Sequence, residues 1–280
     1  MTLSGVLYGH GHMGRLHAEK LRARSDVQLS IVDPAAGFND DVVGRPDFAV
    51  IATPTETHAA VAGPLLRSGI PCLIEKPLAP SLALAEALAT HRHLAVGHIE
   101  RFNPVFSGLP RGEIAYVSIE RLAPHSGRSV DVDVIDDLMI HDLDLLLHWV
   151  GGEIVEVRAK GLSISGGKLD MVTARIELAQ PSGETAVANI TASRVSERTV
   201  RTWRAFAPEQ YWSLDLHRHT GKYARWGGST TQLEVPSIDP LEAQHDAFLR
   251  AVRGEQDFPC SGQDGLRALH LAERVRQCLL

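Results

Sequence analysis

The sequence has few of the features that mark specialised classes of protein. Only three of its 280 residues are cysteines, and Cys72, Cys260 and Cys278 form no C-x-x-C pair. They therefore predict neither a disulfide framework nor a cysteine zinc site, and they fit a reducing cytoplasm. No apolar run approaches the ~18 residues of a transmembrane helix. The first residues lack a secretory signal, so we expect a cytoplasmic protein without a membrane partner.

The sequence also lacks a strong excess of either positive or negative charge. Lys and Arg total 28 and Asp and Glu total 34, which gives a net charge of −6 without a basic block. Surfaces that bind nucleic acid carry clustered positive charge, so this balance argues against a nucleic-acid partner. The apolar fraction of 44% and the charged fraction of 22% are ordinary for a globular chain, and the length suits two domains.

The first hundred residues alternate short apolar runs with helical stretches. The predicted strands end near residues 8, 32, 52, 74 and 97, and the predicted helices cover 13–24, 56–68 and 81–89. Alternation of this kind implies parallel strands covered by helices on both faces. We therefore predict an α/β chain that begins with a Rossmann dinucleotide-binding domain, a doubly wound parallel sheet, over residues 1–98.

Beyond residue 100 the pattern changes. One amphipathic helix is predicted over 137–150 and is followed by strand-like runs with no helix between them, at 154–165, 171–178, 186–192, 200–206 and 211–216. Such runs favour an antiparallel sheet. We predict that residues 99–280 form an α+β substrate and oligomerisation domain with a large, mostly antiparallel open sheet, closed by helices within 241–279.

The segment Gly9-His10-Gly11-His12-Met13-Gly14 matches the G-x-G-x-x-G dinucleotide fingerprint between a strand and a helix. In that fingerprint the glycines allow a tight turn, close approach of the pyrophosphate and close helix packing. Asp33 follows Gly14 by nineteen residues, where a carboxylate accepts bonds from an adenosine ribose and repels a 2′-phosphate. This favours NAD and leaves NADP use open. The alternative is a glycine turn and an unrelated acidic residue.

Two further motifs carry acid–base chemistry. Glu75-Lys76-Pro77 ends the fourth predicted strand, where an ammonium can polarise a substrate oxygen; the alternative is a solvated surface lysine. Asp137 and His141 lie four residues apart on one helix face, so the carboxylate can support His141 as a general base. The alternative is a capping Asp beside a surface His.

No metal site is predicted. Asp142 and Asp144 lie close to His141 in the sequence, but neighbouring helical positions diverge and no second pair completes a ligand set. His10, His12 and His17 lie in or just after the glycine turn, and we interpret them as packing against the cofactor.

In this order and spacing, the three motifs resemble those of the glucose-fructose oxidoreductase/inositol dehydrogenase/rhizopine-catabolism (Gfo/Idh/MocA) family, over nearly the whole chain. The resemblance implies a two-domain NAD(P)-dependent oxidoreductase that acts on sugars or cyclitols, with Lys76 and His141 as the catalytic pair and Asp137 as supporting carboxylate. Residues 52–58 look like the family's second cofactor loop. The implied cofactor contacts outside the glycine turn are Asp33, Thr53, Pro54, Thr55, His58, Glu75, Lys76 and Pro77.

Segments 96–104, 132–142 and 188–194 look like the branch of the family that contains UDP-N-acetylglucosamine 3-dehydrogenases. Arg101, Asn103 and Arg128 are candidate substrate contacts, because a guanidinium binds diphosphate oxygens in pairs. The alternatives are a solvated loop charge for Arg128 and a capping or bracing role for Asn103. Residues 214–219 lie where sugar specificity could differ.

The expected reaction is the reversible oxidation of a secondary hydroxyl on a sugar or nucleotide sugar. An NAD-dependent glycoside hydrolase and a non-catalytic NAD-binding sensor or structural subunit remain as alternatives. Open sheets with apolar faces are commonly covered by a second subunit, so we expect a homodimer or homotetramer, with contributions from Trp203, Phe206 and Trp212. Alternatively, the closing helices cover that face.

Overall fold

The computed structural model describes residues 2–33, 35, 37–39, 44–107, 114–125, 132–165 and 167–279. It divides into two compact units: Met1–Phe102 with Asp239–Leu269, and Asn103–Ile238 with His270–Leu280. We call them the first and the second unit. Within the described ranges, no helix has both the length and the apolar character that crossing a bilayer requires.

A twisted parallel sheet forms the first unit. Its strands are β1 (Leu3–Tyr8), β2 (Val27–Asp33), β3 (Phe38–Asn39), β4 (Phe48–Ile51), β5 (Cys72–Glu75) and β6 (Leu94–Gly97). They lie in the order β3-β2-β1-β4-β5-β6, and all pairs are parallel except β2 with β3. The helices between them are α1 (His12–Arg22), α2 (His58–Arg67) and α3 (Leu82–Ala89). The predicted doubly wound fold is confirmed, with β3 as a strand that was not predicted.

Helix α5 (Pro240–Val252) also belongs to the first unit. Asp239 caps it by accepting bonds from the amides of Leu241 and Glu242. Phe248 meets Phe48 edge-on, with ring centroids 5.9 Å apart, in the apolar core of this unit. The prediction that both closing helices belong with residues 99–280 was therefore wrong: α5 and the first half of α6 (Gly262–Gln277) pack with the Rossmann sheet.

The second unit is built on an eight-stranded sheet. Its strands are β7 (Tyr116–Leu122), β8 (Glu153–Leu162), β9 (Met171–Ala179), β10 (Thr185–Ser193), β11 (Val200–Ala207), β12 (Gln210–Asp215), β13 (Thr220–Arg225) and β14 (Thr230–Gln232). The order is β14-β13-β12-β11-β7-β10-β9-β8, and among these pairs only β7 with β10 is parallel. The predicted mostly antiparallel sheet is confirmed, although β7, β13 and β14 were missed.

One face of this sheet packs on helix α4 (Ile140–Trp149) and the second half of α6. Trp203 and Trp212 are both buried in that core, with exposed fractions of 1% and 2%. The expectation that they lie on an exposed face was therefore wrong. Because side chains alternate along a strand, Phe206, next to the core residue Ala205, points to the opposite face, as predicted.

A buried ion pair joins α4 to β7. Arg121 Nε and Nη2 donate to Asp142 Oδ2 and Oδ1, both at 2.8 Å, and the two side chains are 3% and 1% exposed. Two parallel charge-assisted bonds set the orientation of the helix as well as its distance from the sheet. Removing one member leaves the charge of the other in the core without this partner, which is far costlier than removing both.

We predict that Asp142→Ala lowers the free energy of unfolding by about 3–5 kcal/mol, because Arg121 stays charged and buried. The double variant Arg121→Met/Asp142→Leu is expected to recover most of that loss, since neither member of the pair is left in the core without the other. Urea midpoints measure both. Arg158→Ala is the control, because its bond to Glu156 lies at the surface and should hardly matter. Equal midpoints for Asp142→Ala and the control would show that the buried charge carries no such cost.

Candidate functional site

The glycine turn between β1 and α1 is shaped by close backbone contacts. Gly9 has a φ of +89°, and a Cβ there would lie 2.6 Å from the Ala52 carbonyl oxygen. A Cβ at Gly14 would overlap the Gly9 carbonyl oxygen. At Gly11, by contrast, no atom of the described residues lies within 4 Å of the Cβ position. Two of the glycines are therefore needed by the turn itself, and the third keeps open the space in front of the helix.

That open space faces the start of α1. Gly11 is the residue before the helix, no side chain of the described residues caps it, and the first turn holds no acidic residue. The first backbone N–H groups and the positive end of the helix dipole are thus available to an anion. His12 is exposed here, and His10 and Met13 are half-buried. This arrangement fits a dinucleotide pyrophosphate.

Asp33 ends β2 beside the turn. Its Oδ2 accepts a bond from the His10 amide at 2.6 Å. The carboxylate is thereby held next to the glycines, where it suits the hydroxyls of a ribose and opposes a 2′-phosphate. Residues Gly9 to Gly14 and Asp33 thus lie side by side in the first unit, as their interpretation as a cofactor site requires.

The loop after β4 carries Thr53, Pro54 and Thr55, and a short 3₁₀ helix covers Thr55–Thr57. His58, at the start of α2, is only 1% exposed. Its Nε2 lies 3.0 Å from the Thr53 carbonyl oxygen and its Nδ1 lies 3.0 Å from that of Pro77. The sequence suggested a cofactor contact at His58, whereas the structure makes it a buried link between two loops.

Glu75 ends β5, and half-buried Lys76 follows it at the same edge of the sheet. Because β1, β4 and β5 are parallel neighbours, their carboxyl ends bring Gly9, Thr53 and Lys76 to one edge. This is where ligands bind in doubly wound sheets.

Two residues predicted to contact the cofactor are bonded to each other. His17 is 0% exposed, and its Nε2 lies 3.0 Å from Glu75 Oε1. The contact expected of Glu75 with the cofactor stays a prediction. The expectation that His17 packs against the cofactor was wrong, because His17 is fully buried among protein groups. The signal was present in the sequence, because His17 lies on the same helix face as buried Ala18 and Leu21, facing the core.

In the second unit, Asp137 and His141 lie on one continuous helical segment. It begins with a π-helical turn, Ile135–Met139, and continues as α4. Asp133 Oδ1 accepts bonds from the amides of Ile135 and Asp136 and thereby caps the start of the segment. Both predicted side chains are half-buried. The π turn was not predicted, and such turns recur at functional sites.

Asp142 points to the sheet and is occupied by Arg121, so it is not available to the metal set that was weighed from the sequence. His141, its neighbour, faces a different direction around the helix. The ion pair therefore sets which way His141 projects from the second unit.

The candidate substrate residues have protein partners where they are described. Arg101 Nη2 lies 3.4 Å from Asp264 Oδ1. Burial raises the pKa of Asp264, but Arg101 and Ser261 outweigh it and lower the pKa overall. Asn103 donates to the Leu216 carbonyl at 2.9 Å and accepts from the Val105 amide, so it caps and braces as its alternative interpretation held. Arg128 lies outside the described residues.

Comparison with known proteins gives a consistent picture. Residues 14–94 match a family model described as an oxidoreductase family with an NAD-binding Rossmann fold. The chain is 37% identical, over 98% of its length and 96% of the relative, to a UDP-N-acetylglucosamine 3-dehydrogenase of Acidithiobacillus ferrooxidans. It is 33% identical to the myo-inositol dehydrogenase Hyg17 of Streptomyces leeuwenhoekii, over 62% of this chain and 63% of the relative.

A solved structure of the UDP-N-acetylglucosamine 3-dehydrogenase GnnA from A. ferrooxidans superimposes with a TM-score of 0.89 and 35% identity. The superposition covers 100% of this chain and 98% of that one.

The glycine geometry predicts opposite behaviour for two small substitutions. Gly11→Ala should leave the thermal midpoint close to that of the wild type, since no atom crowds the new methyl, but should weaken NAD binding at least tenfold. Gly14→Ala should lower the midpoint, because the methyl overlaps the Gly9 carbonyl. Calorimetric titration with NAD and a thermal scan separate the two effects. Unchanged NAD affinity in Gly11→Ala would refute the pyrophosphate interpretation.

Proposed function

Because the chain belongs to the Gfo/Idh/MocA family of NAD-binding oxidoreductases, we propose that it reversibly oxidises a secondary hydroxyl of a sugar or nucleotide sugar. We further propose the C3 hydroxyl of UDP-N-acetylglucosamine as the reacting group. The observation that carries this substrate is the near-full-length likeness to an enzyme named for that reaction.

NAD, when bound, supplies the nicotinamide carbon that exchanges hydride with the substrate. The residues that would hold it are the glycine turn, the N-terminal amides of α1 and Asp33. The open space at Gly11 admits the pyrophosphate, and the Asp33 carboxylate favours NAD over NADP. Thr53, Pro54, Thr55 and Pro77 are proposed to line the same cofactor from the neighbouring strand ends.

The proton chemistry is proposed for three side chains. The Lys76 ammonium holds the substrate hydroxyl oxygen and stabilises the alkoxide that develops on it. His141 takes the hydroxyl proton at a ring nitrogen, and Asp137 orients the ring. In the reverse direction the same groups return the proton to the carbonyl oxygen.

Recognition of the diphosphate is proposed for Arg128, whose guanidinium would bind two phosphate oxygens at once. Arg101 and Asn103 are proposed as further substrate contacts, held in place by Asp264 and by the Leu216 carbonyl respectively.

The three cysteines, which have no pairing pattern, support a cytoplasmic location.

The proposal is tested by following absorbance of reduced nicotinamide while NAD or NADP is presented with nucleotide sugars, free sugars and inositols. We expect NADH with UDP-N-acetylglucosamine. NADH with a free sugar or an inositol alone would keep the oxidoreductase chemistry and reject the nucleotide sugar. Release of free sugar without net NADH would favour the hydrolase alternative, and NAD binding without any turnover would favour the sensor.

We predict that Lys76→Ala and His141→Ala each lower kcat by about 10²–10⁴-fold, the usual contribution of a positioned acid–base group. NAD affinity should change little in His141→Ala, because hydride and proton transfer, not cofactor binding, depend on it. Lys222→Ala and His270→Ala replace exposed residues of the same types and serve as controls. A loss below tenfold in either active-site variant would argue against its role.

We propose further that the chain forms a homodimer or homotetramer through the face of the second sheet opposite its core. Phe206 stands there between two cross-strand neighbours, Tyr116 at 5.7 Å and Tyr211 at 4.8 Å between ring centroids. Aromatic clusters of this kind are common in subunit interfaces. Light scattering should give a dimer or tetramer mass, shifted towards monomer by Phe206→Arg. A monomer mass at every concentration of the wild type would refute this.

A further inference from the structure

Lys76 is flanked in the chain by two residues that are each held by a buried histidine. His17 contacts the Glu75 carboxylate, and His58 contacts the Pro77 carbonyl. We propose that His17 and His58 are positioning residues, which fix the backbone on both sides of Lys76 and so aim its ammonium. The proposal rests on the function proposed above for Lys76, and the positioning role of the two histidines requires no contact of theirs with substrate or cofactor.

The first contact joins two distant segments of the first unit. His17 Nε2 and Glu75 Oε1 are 3.0 Å apart, and the residues are 0% and 7% exposed. A carboxylate only accepts bonds, so the proton of this bond lies on His17 Nε2 whether His17 is neutral or charged. Because Glu75 is the last residue of β5, this bond holds the strand end from which Lys76 projects.

A second histidine extends the chain of bonds. His17 Nδ1 lies 2.8 Å from Nε2 of His245, which is 1% exposed on α5. Burial, reinforced by the neighbouring His17 ring, holds the pKa of His245 well below its ordinary value, so this ring is neutral. His245 thereby orients the His17 ring. The hydrogen-bonded side chains of Glu75, His17 and His245 connect the end of β5 to helix α5.

The fold makes room for the buried carboxylate at a specific point. Gly97 pairs with Glu75 across β6 and β5, and a Cβ at that glycine would lie 2.5 Å from Glu75 Oε1. Burying a carboxylate and two imidazoles is expensive unless each is paired, and an apolar cluster would fill the same space at lower cost. Packing alone therefore does not explain why Glu75, His17 and His245 are buried here. A role in holding Glu75, the residue before Lys76, does explain it.

The second contact acts on the other side of Lys76. The His58 ring lies between the carbonyl oxygens of Pro77 and Thr53, each 3.0 Å from a ring nitrogen. Burial lowers the pKa of His58, although both carbonyls act in the opposite direction. A neutral ring has one N–H and can donate to only one of the two carbonyls. Our proposal places that proton on Nδ1, towards Pro77.

With Glu75 and Pro77 both anchored, the Cα of Lys76 has little freedom, and only the side-chain torsions remain to place the ammonium. Preorganisation of this kind matters because a displacement of about 1 Å at a reacting group can lower a rate by ~100-fold. The effect should fall on kcat, while binding of NAD by the glycine turn is left almost unchanged.

Matched substitutions test this at single atoms. Glutamine places its amide near Nε2 of the histidine it replaces, and asparagine places its amide near Nδ1. His17→Gln should therefore keep the bond to Glu75 and most of kcat, and His17→Asn should lose about 10- to 100-fold. For His58 the order is reversed, so His58→Asn should retain kcat and His58→Gln should lose it. Thermal midpoints and NAD affinity are measured for all four variants.

Leu21→Ala is the control for stability, because Leu21 is a buried apolar residue on the same helix as His17. It should lower the thermal midpoint without a comparable loss of kcat. A reversed preference at the two histidines cannot arise from stability alone. Two results would overturn the proposal. One is an equal loss of kcat for the glutamine and asparagine variants at both positions. The other is a kcat that falls in proportion to the thermal midpoint in all variants, Leu21→Ala included.

A second readout needs no turnover. The chain has five lysines, so reductive ¹³C-methylation gives few NMR signals, and Lys76→Arg assigns that of Lys76. We expect the Lys76 signal to stay at its wild-type position in His17→Gln and His58→Asn and to move in the other two variants. This pattern without dehydrogenase activity would reject the proposed function and keep the positioning role. An active enzyme whose Lys76 signal is the same in all four variants would reject the positioning role.

Discussion

The parallel register of β1, β4 and β5 is the constraint on which the first unit depends. Parallel neighbours end at the same edge of a sheet, so the turn at Gly9, the loop at Thr53 and the lysine at position 76 meet although they are far apart in the chain. The same edge receives the uncapped start of α1. A dinucleotide site follows because amides, a helix dipole and a carboxylate converge there, and the positive φ that the turn requires falls on Gly9, where it is readily adopted.

Buried polar groups give each unit its fixed points. In the first unit, Glu75, His17 and His245 join a strand end to two helices. In the second, Arg121 and Asp142 lock α4 against the sheet next to His141. Both sets lie directly beside a residue with a proposed catalytic role. Buried polar and charged groups of this kind add little net stability compared with apolar packing, but they restrict how the elements that carry them can be arranged. In both units that arrangement directs Lys76 or His141.

Several sequence patterns were informative because their cause is local. The glycine fingerprint, the strand–helix alternation and the Asp137–His141 spacing each depend on residues close together in the chain. β7 was missed for the opposite reason. Its inward positions are Val117, Ile119 and Arg121, and the charged third member interrupts the apolar alternation. Asp142, on a different element, makes an arginine acceptable at that position. The helix face of His17 indicated its burial, but its partners there, Glu75 and His245, are remote in sequence and could not be predicted.

The sequence by itself determined the two kinds of architecture, the glycine turn, the acidic residue after β2 and the family motifs. These follow from backbone sterics, periodicity and charge within short segments. The tertiary structure decided which polar residues face a ligand and which face each other. It placed α5 with the first sheet, turned His17 and Glu75 inwards, and engaged Arg101, Asn103 and Asp142 with protein partners. In the sequence, a polar side chain that faces a ligand looks the same as one that faces another protein group. Its partner comes from a distant segment, so the tertiary structure is needed to tell the two cases apart.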